Sequence, residues 1–241
     1  AAGGSANELI DARAKLTETI SRLTGGTVRE QADGTVDIHV GGNALVMGTS
    51  VRVLALSGTQ FGDSLGSSIQ LEWADRPGAA VPVTDGEIAG ALSVLAPANS
   101  GSTGGAIAEA AASYNTFAGN LRDAVNTLHN GAQTSTGAVA GNFFSPASAG
   151  TPAALSLAVI PRDVSAIGIG AGAGKLDNSV ADKISQLGTG AGSPDSLWAA
   201  VVTGIGVQSR GAQQRDALTA ASQASAQANR ASSASVSLDE E

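Results

Sequence analysis

Between Ile107 and Leu128 the residues Ile107, Ala111, Tyr114, Ala118, Leu121, Val125 and Leu128 recur at steps of four and three. That is the a/d spacing of a coiled-coil seam, which keeps one helix face apolar and requires a second helix to cover it. Phe117 widens the stripe. The chain has few large side chains with which to build that cover: 3% of its 241 residues are aromatic, while 32 are glycine and 42% are hydrophobic. A core is attainable, but only in thin, close-packed layers of Ala, Val, Leu and Ile. The formal charge of −8 and a pI near 4.7 argue against a nucleic-acid binder, because phosphate affinity draws on clustered Lys and Arg. Cysteine is absent, which excludes disulfides, thiol catalysis and Cys-ligated zinc. No apolar run approaches the roughly 20 residues of a membrane-crossing helix. Ala1–Glu8 has neither the basic start nor the apolar centre of a signal peptide. The missing initial Met leads us to expect an excerpt of a longer chain.

A first helix is expected from a Ser5/Glu8 capping box. Leu9, Ala12, Leu16, Ile20 and Leu23 line one face, and Gly25-Gly26 stops it. The period then changes to two. Thr27–Gln31 and Thr35–Val40 flank an Asp33-Gly34 turn, with Val36, Ile38 and Val40 on one side and Asp37 and His39 on the other. Ala44–Met47, Ser50–Leu56 and Ile69–Trp73 read as further strands, the last two separated by the loop Ser57–Ser68. A second capping box, Thr84/Glu87, opens a helix through Ile88, Leu92 and Leu95. Beyond the heptad helix, Leu155–Ile160 reads as a strand and Gly168–Gly174 as a flexible joint. A short helix carries Val180, Ile184 and Leu187. Ser193-Pro194-Asp195 then starts a last long helix, with Trp198, Val201, Val202, Ile205, Leu218 and alanines as its inner face.

The expected class is α+β, an elongated helical bundle with a small antiparallel β domain. Residues 1–26, 84–145 and 175–241 form the discontinuous bundle, and 27–83 with 153–169 the β-rich part. The expected packing residues are Leu9, Leu16, Ile20, Leu23, Tyr114, Leu121, Val125, Leu128, Trp198 and Ile205.

No reactive constellation emerges. Gly168–Lys175 suggests a phosphate loop, but Ile169 stands at its first position and Leu176 follows the lysine where a magnesium-holding hydroxyl belongs. A looser dinucleotide pattern fits Gly168, Gly170 and Ala173, yet no series of strand–helix–strand units surrounds it. His39 and His129 each lack a metal-ligand spacing, and His129 is placed at a helix C-terminus, where partial positive charge is favourable. Asp177 near Lys175 and Asp182 near Lys183 read as surface charges, and Asp239-Glu240-Glu241 as a solvated acidic end. No catalytic, cofactor or metal site is expected.

Several stretches resemble one family. Asn7-Glu8-Leu9-Ile10-Asp11-Ala12-Arg13 is similar to a helix of the FlgK family of bacterial flagellar hook-associated proteins. The hairpin Asp33-Gly34-Thr35-Val36 through Gly41-Gly42-Asn43-Ala44-Leu45-Val46-Met47-Gly48 follows as it does there. Thr84–Leu92, Asn126-Thr127-Leu128-His129-Asn130-Gly131 with Gly141-Asn142-Phe143-Phe144, Leu176-Asp177-Asn178 and Val236-Ser237-Leu238-Asp239-Glu240-Glu241 resemble further family motifs in the same order. Ser235 stands where the family usually has Gly, and Ser57–Val81 matches no family motif.

The resemblance implies a non-catalytic structural protein at the hook–filament junction, without cofactor. It implies extracellular placement in the flagellum after type III export, and the implied partners are the hook protein and a second junction protein on the filament side. Self-association into a ring of the full-length protein and an export chaperone are implied as well; nucleic acid and membrane insertion are not. On this reading the axial coiled-coil segments lie outside the excerpt, residues 231–241 begin the C-terminal one, and added helices cover Leu9–Leu23 and Ile107–Leu128. The alternatives from other classes are a secreted adhesin that uses the β insert and the loop Ser57–Ser68, and an enzyme grafted on the outer domain, resting on His39, His129 and the acidic residues.

Overall fold

Helix α1 (Gly3–Thr24) stops at Gly25, whose φ of +67° suits glycine. The computed structural model describes residues 3–59, 68–172 and 177–234. Of the described residues 49% are helical and 17% strand, the α+β class. The chain divides into two units, residues 1–113 and 114–241, so that 27–83 belongs to the first and 153–169 to the second.

In the first unit, β1 (Thr27–Glu30), β2 (Val36–Val40), β3 (Asn43–Met47) and β4 (Ser50–Val51) form an antiparallel sheet in chain order. A second, three-stranded sheet contains β5 (Leu54–Ser57), β6 (Gln70–Trp73) and β7 (Arg76–Ala80). The apolar run expected as one strand, Ser50–Leu56, is broken because the chain changes sheets within it. Arg52 N donates to Leu45 O at 2.8 Å in the first sheet, whereas Val53 O accepts from Ala74 N at 2.9 Å in the second. Strand β7 escaped the sequence reading because Pro77 and Gly78 argue against a strand interior; as an edge strand it tolerates them.

Val40, Leu45, Leu71, Trp73 and Val81 form the core of this unit, with Ile20, Leu54, Ile88 and Leu92 packed against it. Both sheets, α1 and α2 (Gly86–Val94) therefore share one apolar cluster. The helices meet where no side chain fits: a Cβ on Gly86 would come within 2.4 Å of Gly25 N, and one on Gly25 within 2.6 Å of the Asp85 backbone. The expected Thr84/Glu87 capping box does not form. Asp85 is the N-cap and makes no side-chain cap bond, while the Glu87 carboxylate is drawn away to pair with Arg22 of α1. Arg52 lies 3.9 Å over the Trp73 ring and bonds Asp75 at 2.8 Å, closing the core where the sheets change over.

Helix α3 (Ala106–His129) continues into the second unit. There β8 (Gln133–Thr134) pairs antiparallel with β9 (Gly168–Gly170), and α5 (Ser179–Ser185) and α6 (Pro194–Ala234) follow. The first three residues of the expected joint Gly168–Gly174 are thus strand, and 173–174 lie outside the described residues. The first two residues of the expected strand Leu155–Ile160 are helical instead. Leu155 N and Ser156 N both donate to Pro152 O, making the turn α4 (Ala153–Ser156), and only Val159 bridges to Phe144. The start of α6 is as read, with Ser193 Oγ accepting from Ser196 N at 3.1 Å. The Ser5 cap, most of the loop 57–68, Lys175, Leu176 and the final motif 236–241 fall outside the described residues or side chains.

The core placement has a direct test in urea unfolding. Leu71→Ala, at a buried position, is expected to cost about 2–5 kcal/mol. Val51→Ala, at an exposed position, is expected to stay within about 0.5 kcal/mol of the parent. Equal small effects would show that the core lies elsewhere.

Candidate functional site

The last turns of α3 present Asn126, His129 and Asn130 toward the returning chain. A side-chain amide has two donors and an acceptor oxygen, and Asn126 uses both ends. Its Oδ1 accepts from Phe143 N at 2.9 Å and Phe144 N at 2.8 Å, and its Nδ2 donates to Phe144 O at 3.0 Å. Asn126 thereby holds the segment from the helix side, while on its other side Phe143 O accepts from Ile160 N and Ser145 N donates to Ala158 O, both at 2.8 Å. One turn on, Asn130 Nδ2 donates to Asn142 Oδ1 at 2.9 Å.

His129 is 1% exposed, with Val40 one of the largest fully buried side chains among the described residues. Its Nδ1 lies 2.8 Å from Gly141 O and its Nε2 2.8 Å from Gly168 N. A carbonyl accepts only and an amide N–H donates only, so the ring donates from Nδ1 and accepts at Nε2. One imidazole thus ties the end of α3 to a loop 12 residues away and to a strand 39 residues away. Phe143 meets the imidazole edge-on at 5.2 Å and Phe144 meets Phe143 at 4.9 Å. Gly168 has no room for a side chain: a Cβ there would stand 2.6 Å from the Ala132 Cβ and 2.9 Å from that of Ala140.

Asp177 extends the same arrangement. Its Oδ2 accepts from Ala171 N at 2.8 Å and Gly172 N at 3.0 Å, and its Oδ1 from Ser179 N at 3.0 Å. The end of β9 is thereby fastened to the start of α5. Bonds from the Ser179 backbone and hydroxyl, then from Gly172 and Ala171, hold the carboxyl below the usual range, at about 2. In sequence Asp177 reads as an ordinary surface charge, because most of the bonds it accepts come from backbone N–H groups, which leave no residue-type signature.

The sequence-selected packing residues fall into three groups. Val125 is buried, and Ile20, Leu23, Leu121 and Leu128 are half-buried, with Ile20 against the first unit's core. Tyr114 and Trp198 meet tilted, with ring centroids 5.6 Å apart, and Phe117 lies 5.5 Å from Trp198, yet Trp198 remains 40% exposed and Tyr114 and Ile205 also face solvent. Leu9 and Leu16 are 71% and 65% exposed, on the rim of an apolar groove of about 520 Å³ between α1 and the first sheet. Beyond Gly211 every α6 side chain described is exposed, including Leu218.

His39 lies on β2 with its Nδ1 buried and without a hydrogen-bond partner. Among the described residues no group of three His, Asp or Glu side chains is placed to hold a metal, and no helix is long and apolar enough to cross a membrane. The arrangement around His129 fastens chain segments together.

A pH titration of stability checks the Asp177 assignment. A carboxyl whose folded value is lowered contributes stability that is complete above its unfolded value of about 3.9 and is lost as pH falls toward the folded one. Asp177→Asn is therefore expected to be less stable than the parent at neutral pH, the gap closing as pH falls from about 4 toward 2. A gap constant with pH would contradict the assignment.

No curated relative matches the chain significantly. The family profile of the flagellar hook-associated protein FlgK helical domain matches residues 1–144. That range covers the first unit, all of α3, and the Asn126, His129 and Gly141–Phe144 side of the clamp. More than half of the chain falls within the match, and the chain belongs to the FlgK family of flagellar hook-associated proteins, structural components of the flagellum.

Proposed function

We propose that this chain serves at the hook–filament junction, joining two tubes of different stiffness by subunit packing and carrying out no catalysis. The observation that carries the reading is the family match over residues 1–144. The exposed apolar side chains support it: Leu9 and Leu16 on α1, and Trp198, Val202, Ile205 and Leu218 on α6. A helix of 41 residues whose described side chains beyond Gly211 are all exposed gains little from its own propensity in water. In the proposed assembly, axial helices of the full-length protein cover those faces.

The same reading puts the protein outside the cell, exported by the flagellar type III apparatus with a chaperone. It meets the hook protein on one side and a second junction protein on the other, and closes into a ring through copies of itself. The packing roles of Leu9, Leu16, Ile20, Leu23, Tyr114, Leu121, Val125, Leu128, Trp198 and Ile205 belong to this proposal.

Deleting the gene in its host and imaging cells by negative-stain electron microscopy tests it. Hooks without filaments, with filament protein shed into the medium, are the expected result. Normal filaments on the deletion strain would refute the junction role.

A further inference from the structure

We propose that Asn130 is a latent site of spontaneous deamidation, which the clamp at the end of α3 holds in check. Asn130-Gly131 is the only Asn-Gly pair in the sequence, and Asn130 is exposed. In such a pair the deprotonated main-chain nitrogen of Gly attacks the Asn side-chain carbonyl carbon. The new C–N bond closes a succinimide, and the side-chain nitrogen leaves as ammonia. Water then opens the ring at one of its two carbonyls, giving aspartate or isoaspartate; no oxidant or reductant takes part. Glycine favours the attack because no Cβ obstructs it.

Three hydrogen bonds oppose the reaction in the folded chain. Gly131 N, the attacking atom, donates to Ala140 O at 3.0 Å. Asn130 Nδ2, the leaving group, donates to Asn142 Oδ1 at 2.9 Å. Asn130 N donates to Asn126 O at 2.9 Å, which keeps the residue in the last helical turn. Gly131 N must leave Ala140 and turn before it can react, so the reaction runs from the opened state and its rate follows that state's population.

Asn126 sets that population without touching the reacting atoms, because without it Phe143 N and Phe144 N lose their acceptor. The change is one-way. Isoaspartate adds a methylene to the main chain directly after His129 and so displaces the ring from Gly141 and Gly168.

The test is mass mapping of the Asn130 peptide after incubation of the whole chain at mildly alkaline pH. The native chain, the same chain in urea, and Asn126→Ala and Asn142→Ala variants are compared. Conversion is expected to be slow in the native chain and fastest in urea. Asn126→Ala is expected to convert several-fold faster than the parent. Asn142→Ala, which removes one bond of the set, is expected to fall between them and decides the matter if circular dichroism shows Asn126→Ala unfolded. A native rate equal to the urea rate, or an Asn142→Ala rate no higher than the parent's, would overturn the proposal.

Discussion

A buried imidazole with a carbonyl on one nitrogen and an amide N–H on the other is the constraint on which the second unit depends. Buried polar atoms are costly unless paired, and this ring satisfies itself only when Gly141 O and Gly168 N are both in place. The loop and strand that provide them are equally bound: Asn126 supplies the missing partners of Phe143 and Phe144, and Gly168 accepts its neighbours only because it lacks a side chain. In a chain with 3% aromatic residues, side-chain-to-backbone bonds do part of the ordering that a large apolar core does elsewhere. The two phenylalanines that the clamp holds are half of the four in the chain.

The first unit solves the same scarcity differently. Its single apolar cluster draws on two sheets and two helices, and α1 and α2 approach through glycines at 25 and 86. Each layer is thin, so close approach stands in for bulk. What remains outside is as informative as what is buried. Leu9 and Leu16 on α1, and the described side chains of the far half of α6, are exposed. The chain belongs to a family of structural flagellar components, and under the proposed junction role such exposed apolar side chains would serve contacts with other subunits.

Local signals were legible in the sequence and distant ones were not. Gly25, Ser193 and Pro194 mark helix ends by backbone chemistry that neighbours do not alter, and the structure has those ends where the residues place them. The Thr84/Glu87 box is equally local, but Glu87 has a competing partner in Arg22, 65 residues away. The run Ser50–Leu56 is uniformly strand-like, and only the positions of Leu45 and Ala74 reveal that it changes sheets. His129 looked solitary because its partners are backbone atoms, which leave no residue-type signature. The heptad seam from Ile107 to Leu128 also ended one residue short of it. Resemblance singled out the Asn126–Gly131 and Gly141–Phe144 motifs; the hydrogen bonds between them give the physical reason for the pairing.

The central claim is that His129 bridges Gly141 and Gly168 through opposite ends of one ring. Nitrogen-15 NMR of labelled protein reads this directly. A proton on Nδ1, with Nε2 unprotonated and scalar-coupled to the Gly168 amide, is the expected result. A ring protonated at Nε2 alone, or a Gly168 amide exchanging as fast as an open chain, would contradict it.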